Sequence, residues 1–220
     1  MLMRMIGTGL LLAGMSAAAV PVNAEPDLDT LCTSFPHNSR CEGYEPTFEE
    51  DGREVTADGY RIVNEGDWRT AFSSGRSIPW SEPVMVRDDF DGDYLAVLDR
   101  NYDGSLTWGN KDAGVISNWS RNYIRVVAYT RERQCGFWSC NTNETVQETS
   151  RLRVKVGDTV YNLEGVNGNF PVSEELAAAL RNAPPGEAKI RISIEGSGAS
   201  IDNDIGLDTV EAWRVVYAAE

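Results

Sequence analysis

Histidine is almost missing from this chain: His37 is the only one among 220 residues. Ser-His and Cys-His nucleophilic catalysis is therefore left without a plausible base. Nor is there a Gly-x-Ser-x-Gly elbow, a phosphate loop, a Gly-x-Gly-x-x-Gly before a helix or a His-Glu-x-x-His zinc motif. Positive charge is scarce as well, with 20 Lys and Arg against 34 Asp and Glu and a net charge of −14. Nucleic acid and anionic membranes both need cations to replace counterions or meet headgroups, so this balance argues against them. It favours solubility, cationic partners and divalent cations. Long apolar runs are absent too. The uncharged stretch from Ile6 to Val20 is fifteen residues diluted by Gly, Ser and Thr, where a membrane span wants about 20 apolar residues.

What that stretch does fit is an export signal. Arg4 supplies the positive start, Ile6 to Val20 the apolar centre, and Val22 with Ala24 the small residues before a cleavage site. The sequence thus predicts a signal peptide over 1–24, a mature chain from about Glu25, and a periplasmic, cell-surface or extracellular location. The remaining length makes one generous domain or two small ones, enough for a real core.

The four cysteines form two close pairs, Cys32 with Cys41 and Cys135 with Cys140. Export implies an oxidising compartment, so two local disulfides are expected among the three possible pairings. Zinc fits less well: the intervals are too long for its usual ligand spacing and the one histidine lies inside the first loop.

Residues 25–51 are polar and Pro-containing and read as a disulfide-stapled extension. Beyond them, 52–220 read as a β-rich domain with a subdivision near residue 150 left open. The dominant period is two. Arg151 to Val156 (RLRVKV) and Lys189 to Ile194 (KIRISI) alternate charged or polar with apolar residues, which gives strands with one wet and one buried face. Gly157-Asp158 joins the first to Thr159–Leu163 as a two-residue hairpin. Tyr123–Tyr129 and Trp213–Tyr217 are β-rich runs, with weaker candidates at 60–63, 84–86, 94–98 and 105–108. One short helix stands out at about 173–182, where Ser173 caps, Glu174 and Glu175 fill the first turn, and Pro184 and Pro185 end it. The fold expected is mainly β, an antiparallel β sandwich or twisted sheet with this helix packed over an edge.

Three segments, LCTSFPHNSRCEGY, EGVNGNFPVSEELAAALRNAPPG and IGLDTVEAWRVVY, resemble a family of exported cyanobacterial proteins. They cover about a third of the chain. The resemblance implies export; it carries no activity and assigns no functional residue.

The best chemical constellation is Asp99-Arg-Asn101-Tyr-Asp103-Gly104-Ser105. Oxygen ligands at alternate positions followed by a turn glycine are what a calcium loop uses. Its bidentate acid is missing, Asn110 standing in that place, so Asp112 or one of the acids at 88–93 would have to complete the shell. The same residues suit a plain hairpin turn without an ion. Among six tryptophans, Trp80, Trp108, Trp119 and Trp138 crowd one stretch. Tryptophan in β proteins is mostly core, but the short Cys135–Cys140 loop cannot bury both its rings, so Phe137 and Trp138 are the best candidates for an exposed contact.

These features point to an exported, non-catalytic binding or structural protein, stabilised by Ca2+ if the loop holds one, with a protein or carbohydrate partner. A hydrolase using a carboxylate pair is the second reading. An accessory subunit of an envelope or lumenal membrane complex is the third. No nucleic acid and no membrane span in the mature chain are expected.

Overall fold

The structure, a computed structural model, describes residues 48–50, 53–74, 77–103, 111–136, 138–186, 188–196 and 198–219. The described residues belong to one compact unit. Its frame is two sheets. Strands β1 (Phe48–Glu50), β2 (Arg53–Val55), β3 (Arg61–Asn64), β4 (Pro83–Arg87), β5 (Tyr94–Asp103), β6 (Lys111–Ser120), β7 (Tyr123–Cys135), β8 (Cys140–Gln147) and β11 (Asn169–Pro171) make a nine-stranded sheet. Within it, β3 and β4 run parallel and the other neighbours antiparallel. Strands β9 (Thr149–Val156), β10 (Thr159–Glu164), β12 (Ala188–Ile194) and β13 (Ser200–Asp204) form a second, antiparallel sheet in the order β10-β9-β12-β13. The mainly β, layered fold expected from the alternating pattern is what forms.

The chain changes sheets near residue 150, but this is no domain boundary. Leu152, Val154, Ile190, Ile192 and Ile201 of the small sheet share one core with Val97, Val115, Trp119, Ile124 and Val126 of the large one. The alternation that makes one face of RLRVKV charged makes the other face this core. The hairpin between β9 and β10 turns on Gly157-Asp158 as predicted, with Gly157 at φ +55°, a conformation side chains disfavour.

The second face of the large sheet is covered too. Helices α1 (Glu65–Arg69) and α2 (Ala71–Ser74) bridge β3 and β4 and place Trp68 and Ala71 against Val84, Val86, Leu98, Ile116 and Tyr129. Tyr129 fits only because residue 114 is glycine: a Cβ there would sit 2.3 Å from the ring.

Helix α3 (Glu174–Arg181) matches the expectation, and the Ser173 hydroxyl accepts from the Leu176 amide as its cap. The expectation of a strand at 213–217 is corrected: these residues belong to helix α4 (Leu207–Val216) and its cap, Tyr217. Val, Trp and Tyr made the run look extended, but the buried positions Thr209, Val210, Trp213, Val216 and Tyr217 recur at three- and four-residue steps, which is a helical face. Among the described residues, the single helix of the sequence reading thus becomes four. Strand β5 also runs on to Asp103, past the predicted end at Leu98, paired residue by residue with β6 as far as Ala113.

Candidate functional site

Three tight turns and the C-terminal end of α4 surround a cleft of about 700 Å³. The first turn, before β3, contributes Asp58 and Tyr60. The second, between β4 and β5, contributes Asp91, Asp93 and Tyr94, and the third, between β6 and β7, contributes Arg121, Asn122 and Tyr123. The sequence builds each from turn chemistry. Asp58-Gly59 makes the first, with Gly59 at φ +83°. In the second, the Asp88 carboxylate accepts from the backbone N–H groups of Phe90 at 2.9 Å and Asp91 at 3.1 Å, an Asx turn. Those two bonds hold the Asp88 carboxyl below the usual carboxylate range.

A tyrosine follows each turn and is held differently in each case. Tyr94 is fixed from behind. Its hydroxyl donates to Glu65 Oε2 at 2.6 Å and accepts from Asn118 Nδ2 at 2.9 Å. Glu65 in turn accepts from Trp68 Nε1 at 2.9 Å and Arg69 Nε at 2.7 Å. Burial, and then the Glu65 carboxylate, push the Tyr94 phenol well above its ordinary value, so it stays a proton donor at all working pH. Arg125 ties this ring to the next. Its guanidinium lies 4.8 Å from the Tyr94 centroid and 5.2 Å from that of Tyr123. Tyr123 keeps 43% of its surface in solvent, and Tyr60 is half-buried.

The cleft is mixed in chemistry. Asp58, Asp91 and Asp93 line it together with Arg121 and Arg125, a net charge of −1 from three acids and two bases. Neither base stands free in the opening: Arg121 Nη1 donates to the Ala219 carbonyl, and Arg125 is laid against two rings. Clefts of this size with ring faces and a few polar groups are the usual form of a small-ligand site.

The calcium constellation is only partly described. Asp99 is 5% exposed on β5, its Oδ1 accepting from Thr209 Oγ1 of α4 at 3.0 Å and its Oδ2 from Asn101 Nδ2. Asp103 and Asp112 lie at the paired ends of β5 and β6, and Ser105 is outside the described residues. The acids at 88–93 cannot complete that shell, because they adjoin the start of β5 and Asp103 is its tenth residue, about 30 Å further on. Among the described residues no three His, Cys, Asp or Glu side chains converge where a metal could sit.

Of the predicted disulfides, Cys135–Cys140 is formed and closes the tip of the β7–β8 hairpin. Cys32 and Cys41 lie outside the described residues, as do Phe137 and Trp108. Trp138 is 99% exposed at the closed tip, whereas Trp119 is fully buried and Trp80 half-buried. No helix among the described residues is long and apolar enough to cross a membrane.

The tyrosines of the cleft were not singled out from the sequence, although a signal was there. Each stands directly after a turn: Asp58-Gly59-Tyr60, Gly92-Asp93-Tyr94 and Arg121-Asn122-Tyr123. No family model, no curated protein and no solved structure matches the chain.

Proposed function

We propose that this protein is a carbohydrate-binding protein and that the three-turn cleft is its sugar site. The observation that carries the reading is the convergence of Tyr60, Tyr94 and Tyr123 with Asp, Asn and Arg side chains in one open cleft. A pyranose needs both kinds of surface. Its C–H face packs on an aromatic ring, while its hydroxyls need acceptors such as Asp58, Asp91 and Asp93 and a donor such as Asn122. An apolar ligand would strand those carboxylates, and an anionic one would meet a net negative wall. The anchored Tyr94 supports a pre-organised site, because its hydroxyl is already committed to Glu65 and Asn118.

The three carboxylates also keep the hydrolase reading in view, since glycoside cleavage uses two acids on either side of the bond. One pair of assays separates the two. Calorimetric titration with soluble neutral β-glucan, xylan and galactomannan should show binding of at least one, and overnight incubation should release no new reducing ends. Release of reducing ends would replace the binding reading with the hydrolase one. No heat with any of the three would overturn both.

A further inference from the structure

The small sheet shows its outer face to solvent, and that face is net positive, five bases against the acids Glu164, Asp202 and Asp204. Alternation puts Arg151, Arg153 and Lys155 of β9 on the exposed side, with Lys189 and Arg191 of β12 beside them. Register then stacks like charges: Lys155 is paired directly with Lys189, and Arg153 with Arg191. Five of the chain's 20 basic residues therefore occupy two neighbouring strands of a molecule whose net charge is −14. Like charges directly opposite on adjacent strands oppose folding, so folding alone does not account for the arrangement.

Part of the charge is answered from β13, where Asp204 pairs with Lys189 at 2.7 Å and Asp202 with Arg191. No carboxylate of a described residue forms an ion pair with Arg151, Arg153 or Lys155. Glu164, the register partner of Arg151, makes none with a described residue either. Two shallow depressions cover the face. One, of about 380 Å³, is lined by Arg153, Lys155, Lys189 and Arg191 together with Asp202 and Asp204. The other, of about 490 Å³, is lined by Arg151, Arg191, Ser193 and Ser200 together with Glu195. They share Arg191 and so form one continuous track along the strands. From Arg151 to Lys155 the track is about 14 Å long, with a cation every 7 Å or so.

We infer that this track is a second binding site, separate from the cleft, for a linear acidic polysaccharide such as a polyuronate. The strand geometry calls for an extended chain rather than a compact anion, because the unpaired cations lie in a row. The spacing calls for sparse charge, about one anion per sugar ring. Nucleic acid is a poor fit on two counts. A duplex carries charge several times denser than this row, and for a single strand the positions around it, exposed Val160, Asn162, Glu164 and Ser200 and half-buried Ser193, offer no aromatic ring for a base to stack on.

The test is retention on immobilised polygalacturonate at pH 7, followed by titration with oligogalacturonides of increasing length. Despite its net charge, the protein should be retained and should elute between about 50 and 200 mM salt, where counterion-driven contacts are lost. Affinity should rise with oligomer length up to a chain that spans the track, then level off. The triple variant Arg151→Glu, Arg153→Glu, Lys155→Glu should flow through. It should also melt close to wild type, because the acids replacing Arg153 and Lys155 face Arg191 and Lys189, which offsets the acid replacing Arg151 opposite Glu164. The conservative pair Arg151→Lys, Arg153→Lys should be retained. Flow-through of wild type, retention of the triple variant, or tighter binding to single-stranded DNA than to polygalacturonate would each overturn the inference. None of these outcomes bears on the cleft, which neutral sugars probe.

Discussion

The indole of Trp213 in α4 lies on that of Trp119 in β6, with ring centroids 4.6 Å apart and planes tilted by 50°. Both rings are fully buried. This contact pins the last helix to the large sheet and so places Val216 and Ala219 at the rim of the cleft. Trp213→Ala should cost about 3–5 kcal/mol of stability, read from urea unfolding. Trp213→Phe should cost clearly less, because the Trp213 Nε1 has no hydrogen-bond partner among the described residues. Equal losses would mean that ring burial is not what seats the helix.

On the other face of the large sheet, Gly114→Ala would put a methyl 2.3 Å from the Tyr129 ring. The Tyr129 ring is stacked on Phe72 at 4.9 Å and cannot retreat freely. The substitution should destabilise the protein by roughly 1–3 kcal/mol. The double variant Gly114→Ala, Tyr129→Leu should lose less than the sum of its parts.

Much of this architecture was legible from period alone. RLRVKV and KIRISI became β9 and β12, and Ser173 with Glu174 and Glu175 began α3 as predicted. Strand β8 escaped because its residues are almost all exposed and show no alternation. Helix α4 was misread because β-branched and aromatic residues dominate its last turns, and helical spacing becomes visible only when Thr209 and Val210 are counted with Trp213. The cationic face was visible as a wet face, yet the opposition of Lys155 to Lys189 depends on register, which no single segment encodes. The burial of Asp99 was not legible, because its neighbours Asn101, Asp103 and Gly104 are turn formers, whereas β5 continues through it and Thr209 of α4 donates to it.

Burial holds the Asp99 carboxyl above the usual carboxylate range, against the opposing pull of its hydrogen bonds from Thr209, the Arg100 backbone and Asn101. The sign follows by linkage. Below the unfolded value of about 3.9 both states are protonated. As pH rises from there to the raised native value, the unfolded chain releases its proton first and stability falls; the full penalty remains above the native value. Asp99→Asn should therefore be more stable than wild type at pH 7, with the difference shrinking toward pH 4, by urea midpoints across that range. A constant difference at every pH would show that Asp99 does not titrate anomalously.

The hairpin tip offers a simpler test. Cys135–Cys140 spans five residues, so the entropy of loop closure supports a contribution of only about 2 kcal/mol. Replacing both with Ser should leave the fold intact and Trp138 solvent-exposed, seen as unchanged iodide quenching of its emission. Global unfolding at 25 °C would mean that the tip carries far more of the stability than its loop length allows.

The ring faces of Tyr60 and Tyr123 are what a sugar would pack on in the cleft. Wild type and the double variant Tyr60→Ala, Tyr123→Ala should be run by affinity electrophoresis through gels containing soluble neutral β-glucan, xylan or galactomannan, alongside a blank gel. Wild type should be retarded in at least one polysaccharide gel, and the variant, with an unchanged melting curve, should migrate there as it does in the blank. Unretarded wild type in all three, or a variant retarded as strongly as wild type, would contradict the sugar site.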